Sequence, residues 1–267
     1  MDQVLIAQLS DTHICAGGKP LGNGVPTSQR LDRAVAWILS GRLPIQGCVI
    51  TGDLVDEGSE AEYQALRERL DPLHERMPVY LVIGNHDARR PLQQIFSDYP
   101  GIGQTSEFIQ YSLPIGPTQR LVVLDSLVPN EPGGFLCDRR LEWLDDEIAR
   151  YKHEYVVLAV HHPVFDSGNA FFDAMRLSNA QALAPILGRH GRVRLVLNGH
   201  VHRTIAGQFA GIPAWVGASC AFPYGVDYAK DRKSHPLDEP PGLSIHRLGE
   251  PGAPWASHSV LLPLDPR

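Results

Sequence analysis

This 267-residue sequence is poor in cysteine, in clustered positive charge and in long apolar runs. Its four cysteines, Cys15, Cys48, Cys137 and Cys220, lie far apart and form no C-x-x-C pair. That spacing argues against both a zinc knuckle and a disulfide-stapled secreted domain. There is no block of Lys and Arg, and the formal net charge is -6, so a nucleic-acid polymer is not an expected partner. No stretch reaches the roughly 18 apolar residues that a membrane-spanning helix needs. The opening "MDQVLIAQLSD" lacks the basic segment and sustained apolar core of a secretory signal. These absences lead us to expect a reduced, cytoplasmic protein with no membrane contact.

What is present has ordinary globular composition: 43% hydrophobic and 20% charged residues, enough to bury a substantial core. Short apolar runs recur: "VLIAQLS", "CVITGD", "VYLVIGN", "RLVVLDS", "YVVLAVHH", "VRLVLNGH" and "IPAWVGAS". Rich in Val, Ile and Leu and apolar throughout, they predict strands covered on both faces. Between them lie helix-like stretches. "SQRLDRAVAWILSGR" sets Leu31, Ala34, Val35 and Ile38 at helical spacing, with Ser28 as a candidate cap. "SEAEYQALRERLDPL", "CDRRLEWLDDEIARY" and "SNAQALAPILGRH" repeat the pattern. The alternation predicts a layered α/β architecture with helices outside. We expect one domain over residues 1–267, with a charged, Pro-rich loop from about residue 225 and a closing antiparallel pair, "LSIHRL" and "HSVLLPL".

The chemistry falls at the carboxyl ends of the apolar runs, where α/β sheets bind ligands. Asp11 and His13 follow the first run, Asp53 and Asp56 the second, and Asn85, His86 and Asp87 the third. His161 and His162 end another, and His200 and His202 follow the next. Carboxylates and imidazoles without cysteine favour a divalent ion such as Zn, Mn or Fe. In D-x-H and H-x-H, residues two apart at a strand end point to one face, so both can reach one ion. The candidates exceed the roughly four ligands of one tetrahedral site, which favours two ions. Two metals are a recurrent device for in-line attack on phosphorus. Asp56 and Asp87 are expected to tie loops or orient imidazoles. His74, His153, His190, His235, His246 and His258 lack strand-end context and are expected to be surface or satisfied residues.

In the order "DTH", "GDLVD", "GNHD", "HHP" and "GHVH", these blocks resemble the calcineurin-like metallophosphoesterases. The stretches "GFLCDRRLEWLDDEI", "HHPVFDSGNAFFD" and "PPGLSIHRL" look most like the branch of class III cyclic nucleotide phosphodiesterases and glycerophosphodiester phosphodiesterases. The resemblance implies a four-layer α-β-β-α sandwich with two mixed sheets. It assigns Asp11, His13 and His202 to one metal, Asn85, His161 and His200 to a second, and Asp53 to both. His86 is then a substrate contact that assists the leaving group, and His162 stands behind the ligands. The implied function is hydrolysis of a small phosphodiester, a glycerophosphodiester or 3',5'-cyclic nucleotide, by a metal-bound hydroxide. Two divalent ions, Fe, Mn, Zn or Co, would be the cofactors, with Asn85 and His86 binding substrate.

A phosphomonoesterase on the same metal core is the alternative. A catalytically silent scaffold is less expected, since all seven ligand positions are filled. Oligomeric state stays open, although the branch often assembles into homo-oligomers through its C-terminal region. One departure from the branch is "GASCAFPY", which puts Cys220 where those glycerophosphodiesterases carry a site-lining histidine. Read so, it removes a phosphate-side donor. Cys220 as a small buried hydrophobe is an equal alternative.

Overall fold

The computed structural model describes residues 4–104, 107–226, 228, 234–237, 239–250 and 253–263. In chain order the elements are β1 (Val4–Leu9), α1 (Thr27–Leu39), β2 (Gly47–Thr51), α2 (Glu60–His74), β3 (Val79–Val82) and α3 (Arg89–Ile95). β4 (Tyr111–Pro114), β5 (Gln119–Leu124), α4 (Asp138–Arg150), β6 (Tyr155–Val160), α5 (Ala170–Asp173) and α6 (Leu183–His190) follow. The chain ends with β7 (Val193–Asn198), β8 (Ile205–Phe209), β9 (Ile212–Val216), β10 (Gly242–Leu248) and β11 (Ala256–Leu261).

The strands form two mixed sheets. One runs β11-β10-β1-β2-β3 and the other β4-β5-β6-β7-β9-β8. β1, β2 and β3 are mutually parallel, as are β5, β6, β7 and β9, while β10, β11, β4 and β8 join antiparallel. The period of two along each strand explains the continuous apolar runs. On β5 and β6, Leu121, Val123, Val157 and Ala159 belong to the core shared with β1, β2 and β3. Their neighbours Val122, Leu124, Val156, Leu158 and Val160 pack instead with Leu144 and Ile148 of α4 and Leu183 and Leu187 of α6. Helices α1 and α2 cover the first sheet through Leu31, Ile38, Leu66 and Leu70. The architecture is therefore the four-layer α-β-β-α sandwich.

Each of the apolar runs read as a strand is one, and the four helix-like stretches are helices, the last preceded by a short 3-10 turn at Ala180–Ala182. "LSIHRL" and "HSVLLPL" pair antiparallel as β10 and β11. Two details differ. Ser28 does not cap α1: the helix begins at Thr27, whose hydroxyl donates to the His13 carbonyl at 2.9 Å, and Arg30 N takes the Pro26 carbonyl. The entry of α1 is thus tied to the site loop by tertiary contacts. The loop expected from about residue 225 lies partly outside the described residues, and beyond it β10 inserts next to β1 inside the first sheet.

Candidate metal centre

The carboxyl ends of β1, β2, β3, β6 and β7 converge where the two sheets meet, and hydrogen bonds across the sheets hold them in register. Gln8 Nε2 donates to the Asn198 carbonyl at 2.9 Å, Gly199 N to the His161 carbonyl, and His200 N to Asp11 Oδ1 at 2.9 Å. The side chains themselves sit just past the strands, in left-handed backbone. Asp11, His13, Asp53, His200 and His202 have φ of 51°, 44°, 47°, 73° and 59°, five of the seven positive-φ non-glycine residues among the described residues. Such conformations cost of order 1–3 kcal/mol each and persist at functional sites. D-x-H and H-x-H therefore converge through tight turns rather than through strand alternation, which corrects the geometric reason read from sequence. Close approach also dictates two glycines. A Cβ on Gly84 would lie 2.3 Å from Asp53 N and Oδ1, and one on Gly52 would lie 2.3 Å from His161 Nδ1.

The imidazoles are anchored from behind, which decides their tautomers. His202 Nδ1 donates to the Phe222 carbonyl at 3.0 Å and His161 Nδ1 to the Thr51 carbonyl at 2.7 Å. His13 Nδ1 meets Asp56 Oδ1 at 3.2 Å. Each ring so held turns its Nε2 inward. His13 Nε2 and His202 Nε2 face each other at 3.0 Å, with Asp53 Oδ2 3.7 Å from the first and Asp11 Oδ1 3.6 Å from the second. This is a convergence of ligating atoms. Donors about 2.1 Å from one ion lie within roughly 4.2 Å of each other, so the set fits a divalent cation.

A second convergence adjoins the first. Asn85 Oδ1 lies 3.1 Å from His161 Nε2 and 3.0 Å from His200 Nδ1, and Asp53 Oδ1 lies 3.4 Å from His161 Nε2. The two oxygens of Asp53 thus face different clusters. His162 is close by, but Ser126 Oγ at 2.7 Å and the Pro132 carbonyl at 3.2 Å occupy both its nitrogens. It supports the site rather than opening a lone pair to it.

Charge follows from burial and from this crowding. Burial pushes the Asp11 carboxyl up to about 6. Burial also opposes ionisation of Asp53, but His161 and His13 outweigh it and hold Asp53 well below the usual carboxylate range. Burial works against a charged His161, yet Asp53 and Asp11 raise it to about 9. His200 falls to about 3 through burial and His161, and His202 falls well below its ordinary value through burial and His13. Burial also opposes a charged His13, but Asp56, Asp53 and Asp11 raise it. The carboxylates therefore favour protons on His161 and His13, while His200 and His202 keep neutral lone pairs suited to a metal.

The two loop aspartates behave as read from sequence. Asp87 accepts from Gly84 N at 2.8 Å, Tyr63 OH at 3.0 Å, and Leu54 N and Val55 N, locking the β3 turn to the β2 turn. Asp56 orients His13, and its carbonyl accepts from His86 Nδ1 at 2.7 Å. His86 N donates to Asp53 Oδ1 at 3.0 Å, while its ring, with the side chain 41% exposed, lines the cavity above the cluster. Of the remaining histidines, His246 is buried but satisfied by Ser257 Oγ at 2.7 Å and Gln8 Oε1 at 3.0 Å.

A cavity of about 370 Å³ opens over both clusters. Sequence reasoning missed its aromatic wall of Phe171, Phe172, Phe222 and Tyr224. "NAFFD" and "AFPY" carry the signal, but nothing local says that these rings face the site. Cys220 is not part of this wall. It is fully buried in the core shared by the sheets, its N–H donates to the Ser10 carbonyl, and burial raises its thiol above the ordinary value. The reading as a small buried hydrophobe holds.

Known proteins are similar to this chain. The family model for calcineurin-like phosphoesterases matches residues 4–204. A probable cyclic nucleotide phosphodiesterase from Rhodopseudomonas palustris is 32% identical over 87% of this chain and 84% of its own length. A probable glycerophosphodiester phosphodiesterase from Arcobacter nitrofigilis is 29% identical over 91% of this chain and 88% of its own. Among solved structures, a dimetal phosphatase from Danio rerio superposes with a TM-score of 0.67 at 16% identity, covering 95% of this chain and 98% of that one, and supports the fold alone. With its sandwich, its left-handed ligand turns and its divalent-metal site at five strand ends, the chain belongs to the calcineurin-like phosphoesterase family.

Proposed function

We propose that this protein is a binuclear metal-dependent phosphodiesterase acting on small diesters, of the kind named for its relatives: glycerophosphodiesters or 3',5'-cyclic nucleotides. The carrying observation is Asp53, whose Oδ2 faces His13 and whose Oδ1 faces His161. In this reading Asp11, His13 and His202 hold one cation, Asn85, His161 and His200 hold the other, and Asp53 is shared. Fe, Mn, Zn and Co all suit these donors. The ions, when bound, supply positive charge for the phosphoryl oxygens and acidify water.

The chain's own residues supply the rest. Asn85 and His86 border the space above the cluster, where a phosphate would sit. With Nδ1–H donating to the Asp56 carbonyl, His86 presents Nε2 to the substrate. In its charged form that atom carries the proton an alkoxide needs on leaving. His161 would have to lose its Nε2 proton to hold a cation, so metal binding would be accompanied by proton release. The cytoplasm is its proposed setting; among the described residues no helix is long and apolar enough to cross a membrane. Assembly through the C-terminal region fits β11, an edge strand whose Leu261 is 68% exposed.

The test is metal analysis of the purified protein followed by assay of bis- and mono-nitrophenyl phosphate. Two equivalents of divalent metal and faster turnover of the diester are expected. Faster turnover of the monoester would favour a phosphomonoesterase, and metal without turnover of either would favour a silent scaffold.

A further inference from the structure

Behind the metal-binding cluster a run of polar side chains crosses the neighbouring strands β11, β10, β1 and β2 and ends on Asp11. Ser257 Oγ lies 2.7 Å from His246 Nδ1, His246 Nε2 lies 3.0 Å from Gln8 Oε1, and Gln8 Nε2 lies 2.9 Å from Thr51 Oγ1. Thr51 Oγ1 then meets Ser10 Oγ at 2.8 Å, and Ser10 Oγ meets Asp11 Oδ2 at 2.5 Å. From His246 to Asp11 every member is buried. Two glycines leave room for the run. A Cβ on Gly217 would lie 2.7 Å from Gln8 Nε2, and one on Gly199 would lie 2.3 Å from Ser10 Oγ.

Donor and acceptor roles in this run are fixed from both ends. An ionised Asp11 only accepts, so Ser10 uses its one hydrogen there and Thr51 must donate to Ser10. The carbonyls of Leu9 and Asn198 lie farther from the Thr51 hydroxyl, at 3.3 Å and 3.4 Å. Thr51 has no second hydrogen, so its contact with Gln8 comes from the Gln8 amide. The same Nε2 donates to the Asn198 carbonyl at 2.9 Å, which orients the amide the same way. Gln8 Oε1 therefore faces His246 and takes the Nε2 hydrogen. Burial lowers His246 to about 3, so the ring is neutral and its Nδ1 accepts from Ser257. All five hydrogen bonds point towards Asp11, and each polarises the next. We propose that Gln8, Thr51 and His246 are positioning residues for Asp11, a one-way relay that holds Oδ2 and keeps Oδ1 turned to His202. Asp11 Oδ1 lies 3.6 Å from His202 Nε2 and takes the His200 N–H. The inference rests on the reading of Asp11, His13 and His202 as ligands of one cation. With the relay cut, the Ser10 hydroxyl loses its donor, its grip on Oδ2 weakens and the carboxylate can turn.

Titration with Mn²⁺ against a competing chelator tests the relay without any assay of turnover. The unaltered protein is titrated first; no binding there overturns the metal-centre reading and this inference with it. With binding present, Thr51→Val keeps the shape, removes the hydroxyl and leaves the Thr51 carbonyl that anchors His161 in place. It should weaken one of the two equivalents about 10–100-fold, the usual effect of losing a partner behind a ligand. Thr51→Ser restores the hydroxyl and should bind like the unaltered protein. His246→Leu lies three hydrogen bonds from Ser10 and should weaken the same equivalent several-fold. His246→Gln, whose amide can still donate to Gln8, should not. The dissociation constant is read from folded protein, so a smaller folded fraction lowers the stoichiometry and leaves the constant alone. Unchanged constants in Thr51→Val or His246→Leu, or a Thr51→Ser variant as weak as Thr51→Val, overturn the relay and leave the metal-centre reading standing.

Discussion

His13 and His202 point their Nε2 atoms at each other across 3.0 Å, each ring held from behind by an acceptor on its Nδ1. Burial opposes a charged His13, but Asp56, Asp53 and Asp11 raise it, while burial and His13 lower His202. A proton on His13 therefore faces the His202 lone pair in the place a cation would take. Metal should therefore stabilise the fold. A divalent ion at about a thousand times its Kd should add roughly 4 kcal/mol to the unfolding free energy. Thermal or urea melts of chelated and reloaded protein check this, and identical melts would exclude a metal role for the pair.

Replacement of Asp53 by Asn should remove metal and activity together. The change keeps the shape but takes away the charge, and leaves one oxygen where two faced separate clusters. Elemental analysis should show that less than one equivalent survives. Two retained metals with full turnover would mean that Asp53 is not shared.

His86 makes a different prediction. Its ring meets the Asp56 carbonyl, lies edge-on to the His13 ring at 4.7 Å and lines the cavity, and in the proposed function it is a substrate contact rather than a ligand. His86→Ala should keep full metal content and lower kcat by about 10²–10⁴. The loss should be smaller for substrates whose leaving group needs no proton, such as nitrophenol. Loss of metal in this variant would make His86 a ligand.

Gly84→Ala tests the close approach of two turns. Its Cβ would sit 2.3 Å from both Asp53 N and Asp53 Oδ1, and neither can retreat without moving the shared carboxylate. Destabilisation of about 1–3 kcal/mol is expected from the overpacking, with weakened metal binding. A fully metallated, equally stable variant would show that the turn relaxes freely.

Acid sensitivity should depend on His246. Burial lowers this ring to about 3, well under its ordinary 6.5. The unfolded chain therefore binds a proton that the folded chain refuses. The stability this group contributes is fully present above about pH 6.5 and is lost as pH falls towards 3. Between pH 6.5 and 5 the loss is about 2 kcal/mol. His246→Gln should flatten that slope in urea titrations at the two pH values; an unchanged slope would place the acid sensitivity elsewhere.

The legible part of the fold was its parallel core. "YVVLAV" and "RLVVL" read as strands because sheet and helices cover both faces, so every position is apolar. The edge strands β4 and β8 were not legible. "YSLP" and "IAGQF" are short, half exposed and interrupted by Pro or Gly, since an edge in an antiparallel pair needs neither continuous apolarity nor strong alternation. Of the site, the residues named from sequence do converge. The stated reason, strand alternation, was the wrong one: past Leu9 and Asn198 the backbone turns left-handed, and only the turns aim the side chains.

The sequence by itself determined which chemistry was available. It set carboxylates, imidazoles and an amide after five apolar runs, with glycines where two turns must touch. Tertiary structure alone decided how they are shared. Asp53 faces two clusters because strands from different sheets meet there. His161 offers Nε2 because Thr51, 110 positions away, holds its Nδ1. His162, adjacent in sequence, is withdrawn because Ser126 and Pro132 claim both its nitrogens. Phe172 of α5 and Tyr224 line the site only because their segments fold back over His200 and His202. Tautomer, charge and cavity wall depend on partners distant along the chain, and no local pattern records those distances.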